Sequence, residues 1–151
     1  MVDPADLPEH MKACPIEVAS KYIGRKWGVN IIRDLFLGHQ RFSEFLKSNP
    51  DLSTKMLAAR LRELESDGLI QKKTASTSPV VTHYELTDKG RALSRVMLEM
   101  AIFSFQYCKT EVYRLSPQSI EDDIGMMKRI LTPPSAKMGK IPVKATVNNK
   151  I

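Results

Sequence analysis

The residues whose types and spacing are best suited to binding a ligand lie in one segment, from Ser53 to Asp67. If this segment is a helix with Leu57, Leu61 and Leu64 turned inward, its opposite side carries small, hydroxyl and basic side chains. A helix fits the major groove of DNA, where long basic side chains donate hydrogen bonds to base edges and phosphates. The residues that we predict to contact DNA from this segment are Ser53, Thr54, Lys55, Ala59, Arg60 and Arg62.

A second group of basic and hydroxyl side chains lies in residues 69–86. Apolar and polar residues alternate in Leu69–Thr74 and again in Val81–Leu86, which predicts two strands joined by a polar loop. Such a hairpin can bind phosphates, which positions a protein on DNA without reading its sequence. The candidates for phosphate contacts are Lys72, Lys73, Thr77 and His83. Arg41, which lies ahead of Ser53 in the chain, is a further candidate for contact with DNA. An ordinary polar loop is the alternative, and for His83 it is the favoured one.

Cys14 is the candidate for reactive thiol chemistry. It precedes Pro15 and a predicted helix, where unpaired backbone N–H groups and the helix dipole stabilise a thiolate, and Lys12 is close in sequence. A small core residue that never reacts fits the sequence equally well. Cys108 is expected to be structural, because the two cysteines form neither a C-x-x-C pair nor a disulfide framework.

The sequence contains none of the residue groupings typical of an enzyme. Its histidines, His10, His39 and His83, are scattered, and no carboxylate pair or metal-ligand spacing accompanies them. A glycine-rich phosphate-binding loop is also missing from the sequence. We therefore expect no catalytic activity, no metal and no cofactor.

The elements that position these residues are predicted from apolar spacing and helix caps. Helices are expected over Ile16–Ile23, from Trp27 to Gly38, over Arg41–Ser48, Thr54–Asp67 and Asp88–Tyr107, and from a Ser116-Pro117 cap to Leu131. A helix, a short helix, a turn, another helix and a hairpin follow one another in a winged helix-turn-helix. The predicted fold class is therefore mainly α with a small β-hairpin wing (α+β), a winged helix-turn-helix that is dimeric through its terminal helices.

This order of elements also bears on Lys55 and Arg62. A solvated helix face is the competing interpretation for both, because most helices expose such residues and Glu63 is a nearby ion-pair partner. The preceding short helix and the following basic hairpin favour DNA instead.

The helix from Asp88 to Tyr107 carries apolar side chains on nearly every side and needs cover on more than one face. Pairing with a second copy across a two-fold axis would supply that cover. Burial within the same chain against the helix after Ser116 is the alternative. The predicted homodimer interface consists of Leu93, Val96, Met97, Met100, Phe103 and Tyr107.

Length and charge suit one domain with additional segments. The chain has 151 residues and a net charge of +6, of which +4 comes from lysines of residues 132–151. No apolar run approaches the roughly 20 residues of a membrane span, and the N-terminus does not fit a signal peptide, so we expect a cytoplasmic protein without membrane contact. The expected parts are an N-terminal arm (1–12), a winged helix-turn-helix domain (13–108) with a dimerisation helix (88–107), a C-terminal helical extension (109–131) and a basic disordered tail (132–151).

A series of linked motifs runs through residues 13–108. In chain order they are Cys14-Pro15-Ile16, Ile23-Gly24-x-Lys26-Trp27, Arg33-Asp34-Leu35, Arg41-Phe42-Ser43-Glu44, Ser53-x-Lys55-Met56-Leu57-x-x-Arg60-Leu61-Arg62-Glu63-Leu64-Glu65-x-Asp67-Gly68-Leu69 and Tyr84-x-Leu86-Thr87-x-x-Gly90. This series resembles the HxlR family of bacterial and archaeal regulators, a MarR-like group. Two features depart from the family pattern: Arg25 stands where a glycine is common, and residues 109–151 extend past the usual end.

The resemblance implies a winged helix, a homodimer joined by terminal helices and operator binding near regulated promoters. Members of this family often control redox, detoxification or aldehyde-handling genes, so the resemblance implies such a role. Members that sense electrophiles or oxidants use a cysteine at the position matching Cys14.

We therefore predict a sequence-specific DNA-binding transcriptional repressor. It would bind a near-palindromic operator in double-stranded DNA as a homodimer and respond to oxidants or electrophiles through Cys14. The alternative is a winged-helix module that binds protein, with Lys55 and Arg62 paired with acidic residues of the partner. The operator, the regulated genes and any small-molecule effector are not identified by a motif.

Overall fold

The computed structural model describes residues 11–75, 81–115 and 119–132. The predicted N-terminal arm up to residue 10, Thr77 and the predicted tail from residue 133 lie outside these ranges. In chain order the described elements are α1 (Pro15–Ile23), α2 (Gly28–Phe36), α3 (Phe42–Ser48), α4 (Thr54–Ser66), β1 (Ile70–Ala75), β2 (Val81–Leu86), α5 (Asp88–Ala92), α6 (Ser94–Tyr107), α7 (Lys109–Val112) and α8 (Ile120–Leu131). This order confirms the predicted mainly α fold with a small β-hairpin wing.

The core lies where α2, α3, α4, the hairpin, α6 and α8 meet. Each of these elements buries the apolar side of its sequence pattern, and each fully buried aliphatic or aromatic side chain stabilises the fold by about 1.5–3 kcal/mol. The buried apolar side chains of this core are Ile31, Ile32, Leu35, Phe45, Leu52, Leu57, Leu61, Leu64, Leu69, Ile70, Leu86, Met97 and Leu131.

A buried polar network joins α2 to the end of α3. The Asp34 carboxylate is fully buried and accepts hydrogen bonds from Arg33 Nη2 at 2.7 Å and from Asn49 Nδ2 at 2.7 Å. Asn49 Nδ2 also donates to the carbonyl oxygen of Phe45 at 2.9 Å. A buried charge is tolerated only when it is paired in this way. The network therefore fixes the turn that leads from α3 into α4.

The hairpin is antiparallel, with Ile70 opposite Leu86 and Lys73 opposite His83. Ile70 and Leu86 are buried at the base of the hairpin. Higher up, the backbone N–H of Tyr84 donates to the carbonyl oxygen of Gln40 at 2.9 Å, just before α3. The wing is therefore fixed to the loop between α2 and α3.

The start of α5 packs closely against the residue that precedes β1. Thr87 N–H donates to the Leu69 carbonyl oxygen at 3.0 Å, and Thr87 Oγ1 accepts from the N–H of Gly90 at 3.1 Å. A Cβ at Gly90 would lie 2.0 Å from the same Leu69 oxygen. Only glycine fits this approach.

The predicted single helix from Asp88 to Tyr107 is interrupted at Leu93, so that it forms α5 and α6. The Leu93 N–H donates to the Gly90 carbonyl oxygen at 3.2 Å, which is the tighter i to i+3 spacing. The regular spacing resumes where Met97 N–H donates to the Leu93 oxygen at 2.9 Å.

One face of α6 is covered within the chain by α8. Met97 and Phe105 of α6 are buried, with the Phe105 ring stacked on Tyr113 at 5.9 Å, and Leu131 at the end of α8 is 2% exposed. The helix α8 begins at Ile120 and is capped by Ser119, whose Oγ accepts from the Asp122 N–H at 3.1 Å. The Ser116 cap that the sequence predicts lies outside the described residues. Burial within the chain therefore accounts for part of the apolar surface of α6. Among the described residues, no helix combines the length and the apolar character needed to cross a membrane.

Candidate nucleic-acid interface

Helix α4 has the orientation that the sequence predicts. Leu57, Leu61 and Leu64 are buried, and Ser53 Oγ accepts from the Met56 N–H at 3.2 Å to cap the helix. After α4, Gly68 turns the chain with φ +71, a left-handed conformation that favours glycine. The side of α4 opposite the leucines is therefore held away from the core.

Lys55 and Arg62 lie on this opposite side and are exposed. Within the described ranges neither side chain forms an ion pair. Glu63, the ion-pair partner that the sequence suggested for them, pairs instead with Arg25 and Arg60. Thr54 is also exposed, whereas Ala59 is half-buried. This outward side offers two long cationic donors, with small or hydroxyl side chains beside them, as a helix in the major groove requires.

Arg60 is placed differently from the other predicted contacts. Its Nε donates to the carbonyl oxygen of Lys26 at 2.9 Å, and its Nη1 pairs with Glu63. The Arg60 side chain is only 18% exposed. Its guanidinium group is thus directed at the turn between α1 and α2, and not at the outward side of α4.

The two lysines of the wing point to opposite faces of the hairpin, because they are adjacent in one strand. Lys73 Nζ lies 2.6 Å from Glu85 Oε2, and the hydrogen bond from Lys73 is the main cause that lowers the pKa of Glu85 below its ordinary value. Lys72 lies opposite Tyr84 and is exposed, and no described acid pairs with it. Lys72 is therefore the more available of the two.

His83 lies opposite Lys73 in the hairpin and is half-buried. Its Nδ1 is shielded from solvent and has no hydrogen-bond partner among the described residues. This placement leaves only part of the His83 ring available to a phosphate.

Arg41 is exposed at the N-cap position of α3. The backbone N–H groups of Arg41 and Gln40 donate to Glu44 Oε2 at 2.8 and 2.7 Å. These two hydrogen bonds hold the pKa of Glu44 below its ordinary value. The start of α3 is thereby fixed, and the Arg41 side chain extends from it toward solvent.

Arg25, which the sequence did not indicate as a site residue, also contacts α4. Arg25 Nη1 lies 3.4 Å from Glu63 Oε2 and 3.4 Å from Asp67 Oδ2. The i, i+3 spacing of Arg60 and Glu63 is visible in the sequence. The approach of Arg25 is not, because it depends on how the α1–α2 turn packs.

Cys14 occupies the N-cap position of α1, as predicted, and its carbonyl oxygen accepts from the Val18 N–H at 3.0 Å. Its thiol is partly accessible and free, and so is that of Cys108 at the end of α6. Among the described residues, no three His, Cys, Asp or Glu side chains are grouped to hold a metal ion.

The predicted dimer residues divide between two faces of α6 and its start. Met97 is 6% exposed and Leu93 is half-buried, so both belong to the core of a single chain. The remaining four are exposed and follow the spacing i, i+4, i+7 and i+11, which places them on one stripe. They are Val96, Met100, Phe103 and Tyr107, with Phe103 at 58% and Tyr107 at 75% exposure.

Known regulators share this arrangement of helices and hairpin. The family model described as HxlR-like helix-turn-helix matches residues 22–112. The HTH-type transcriptional regulator YodB of Bacillus subtilis (strain 168) is 39% identical over 97 residues, covering 64% of this chain and 87% of YodB.

Solved structures of regulators are also similar to about two thirds of this chain. The reduced form of YodB from B. subtilis has a TM-score of 0.56 at 35% identity and covers 65% of this chain and 97% of that chain. The reduced form of the redox regulator HypR has a TM-score of 0.61 at 32% identity and covers 66% of this chain and 100% of that chain. The family match ends at residue 112, so α8 lies beyond it.

Proposed function

Because the chain belongs to the HxlR family of helix-turn-helix transcriptional regulators, we propose that it binds a specific operator in double-stranded DNA as a homodimer and represses transcription there. The observation that carries this proposal is the outward side of α4. Lys55 and Arg62 are exposed there without an ion-pair partner in the described ranges, while the leucines of the same helix are buried. Such a helix can insert into the major groove and donate to base edges.

Backbone contacts complete the proposed interface. Lys72 and Arg41 are exposed cations next to the two residues that join the wing to the α2–α3 loop: Lys72 lies opposite Tyr84 in the hairpin, and Arg41 follows Gln40. We assign them to phosphates, which orient the protein on the duplex without reading its sequence. Ser53 and Thr54 supply hydroxyl groups at the start of α4.

The exposed apolar stripe of α6 supports the homodimer. Val96, Met100, Phe103 and Tyr107 form a continuous surface that a second copy can bury across a two-fold axis. In such a dimer the two α4 helices would lie about 34–36 Å apart, the spacing of successive major grooves on one side of DNA. The operator would then be near-palindromic, and a dimer seated on it would block access of the polymerase. Because a bacterial or archaeal transcriptional regulator acts where its DNA lies, we propose a cytoplasmic location.

Selection from a pool of random duplexes tests the proposal. We expect enrichment of one palindromic sequence whose half-sites are a helical turn apart. Mobility shifts with the enriched duplex should weaken steeply between about 50 and 200 mM salt, because displaced counterions contribute to the affinity. Enrichment of no sequence, with no shift even at low salt, would contradict DNA binding and favour a winged helix that binds protein.

We further propose that Cys14 makes the regulator responsive to oxidants or electrophiles. Its position at the start of α1, its partial exposure and its free thiol support this role, as does the similarity to HypR, a redox regulator. With diamide, the thiols of Cys14 and of a second cysteine would form a disulfide while diamide takes up the two hydrogens. We expect diamide or a quinone to release the enriched duplex from the parent and not from Cys14→Ser. Equal release from both proteins would remove Cys14 as the sensor.

A further inference from the structure

One flank of α4 faces neither the core nor the proposed DNA side. Met56, Arg60, Glu63 and Asp67 follow the spacing i, i+4, i+7 and i+11 and therefore form a stripe along the helix. The stripe runs between the buried leucine side and the outward side that carries Lys55 and Arg62.

The turn between α1 and α2, residues 24–27, binds this stripe at three points. Arg60 Nε donates to the Lys26 carbonyl oxygen at 2.9 Å. Arg25 Nη1 lies 3.4 Å from both Glu63 Oε2 and Asp67 Oδ2. Because Arg60 Nη1 also pairs with Glu63, that one carboxylate joins the turn to the helix. The contacts extend from Arg60 to Asp67, about two helical turns, or roughly 10 Å along the axis.

The turn itself is held in a defined conformation. Trp27 adopts φ +73, a left-handed conformation that costs a residue other than glycine of order 1–3 kcal/mol. Its side chain packs against the core, and Gly28 N–H donates to the Arg25 carbonyl oxygen at 3.1 Å. A strained conformation persists only where its surroundings fix it. The turn is therefore a firm support for α4.

The charges of this cluster are balanced, since two arginines face two carboxylates. Arg60 is only 18% exposed, whereas Arg62, two residues further along the same helix, is exposed and unpaired in the described ranges. The two arginines thus differ in what they can do. Arg62 can reach DNA, and Arg60 is already bound within the protein.

We propose that Arg25, Arg60 and Glu63 are positioning residues that fix the rotation of α4 about its axis, so that Lys55 and Arg62 meet the base edges of an operator. This inference rests on the proposed DNA-binding function. A rotation of about 20° moves side chains at the 5–6 Å radius of a helix by about 2 Å. A binding site tolerates displacements of only about 0.5 Å. Loss of the cluster therefore reduces discrimination between sequences more than it reduces attraction to phosphates.

The experiment compares Arg25→Gln and Arg60→Gln with Arg62→Ala and with Arg129→Gln, an exposed arginine of α8 that serves as the control. Dissociation constants are measured for a duplex enriched by selection and for an unrelated duplex of equal length, each from 50 to 200 mM salt. We expect both glutamine variants to lose about tenfold in the ratio of the two affinities, the discrimination carried by roughly one base contact. The slope of affinity against salt should stay unchanged in both, whereas a lost phosphate contact reduces it by about one.

The other outcomes overturn the inference. A reduced salt slope in Arg60→Gln would mean that Arg60 binds a phosphate directly. An unchanged ratio in Arg25→Gln, whose half-exposed side chain can be replaced without opening the core, would mean that the cluster serves only stability. A parent chain that binds no duplex would contradict the proposed function together with this inference. If the parent prefers the enriched duplex over the unrelated one and the variants do so equally well, only the inference is contradicted.

Discussion

Lys55 and Arg62 are the side chains on which direct reading of DNA depends in the proposed complex. Both are exposed on the outward side of α4, and no described acid competes for them. We expect Arg62→Ala and Lys55→Ala each to weaken binding of the enriched duplex by about 1–3 kcal/mol where the side chain reads a base. Titrations by fluorescence anisotropy measure the loss, with Lys128→Ala on α8 as the control. Parent-like affinity in both variants would discredit this assignment of the reading side.

Glu44 makes the stability of α3 dependent on pH. Hydrogen bonds from the backbone of Arg41 and Gln40 lower its pKa. A lowered pKa in the folded state contributes stability above the ordinary carboxyl pKa, and this contribution is lost as the pH falls through the folded value. We expect the parent to melt at a higher temperature than Glu44→Gln at pH 7, and the difference to shrink below about pH 4.5. A difference in melting temperature that is the same at pH 7 and pH 3 would contradict this role.

Local sequence signals predicted some site residues and not others. The Ser53 cap and the leucine stripe of α4 depend on neighbours within a few residues, so spacing alone reveals them. Arg60 binds Lys26, 34 residues away, and Lys73 pairs with Glu85 through the register of the hairpin. Their partners become known only when the elements pack, and the sequence therefore overstated how free both side chains are.

Helix α8 is the element that completes the core from outside the family match. Leu131 is 2% exposed at its end, whereas Met126 on the same helix is 44% exposed. Truncating a buried leucine to alanine costs about 2–5 kcal/mol through lost burial and the cavity that remains. We expect Leu131→Ala to lower the free energy of unfolding by this amount in urea titrations, and Met126→Ala to change it by less than about 0.5 kcal/mol. Equal small effects would show that α8 does not stabilise the domain.

The boundaries of the later helices could not be predicted as well as their existence. Apolar periodicity indicated a helix over most of 88–107 and another that ends at Leu131, and both are present. The interruption at Leu93 accompanies the contact of Gly90 with Leu69, which joins α5 to the start of β1. The Ser119 cap of α8 was equally hidden, because Ser116 and Ser119 satisfy the same local sequence rule.

At the scale of the whole molecule, α6 has two apolar faces, of which one is covered within the chain and the other is exposed. One face packs inside the chain against α8, and Met97 and Phe105 are buried. The other is the exposed stripe, on which the Phe103 and Tyr107 rings lie 5.5 Å apart. The sequence predicted correctly that one neighbour would not cover this helix. It could not divide the residues between the two faces, because that division depends on where α8 packs.

The exposed stripe makes the assembly testable with one substitution. We expect Phe103→Glu to shift the protein from dimer to monomer in sedimentation experiments, because a charge buried without a partner opposes association. Met126→Glu places the same charge on an exposed apolar residue of α8 and should remain dimeric. A monomer can hold only one half-site, so Phe103→Glu should bind the full palindrome no more tightly than a duplex with a single half-site. If Phe103→Glu remains a dimer and still prefers the palindrome, another surface joins the two copies, and the spacing of their α4 helices must be derived from that surface.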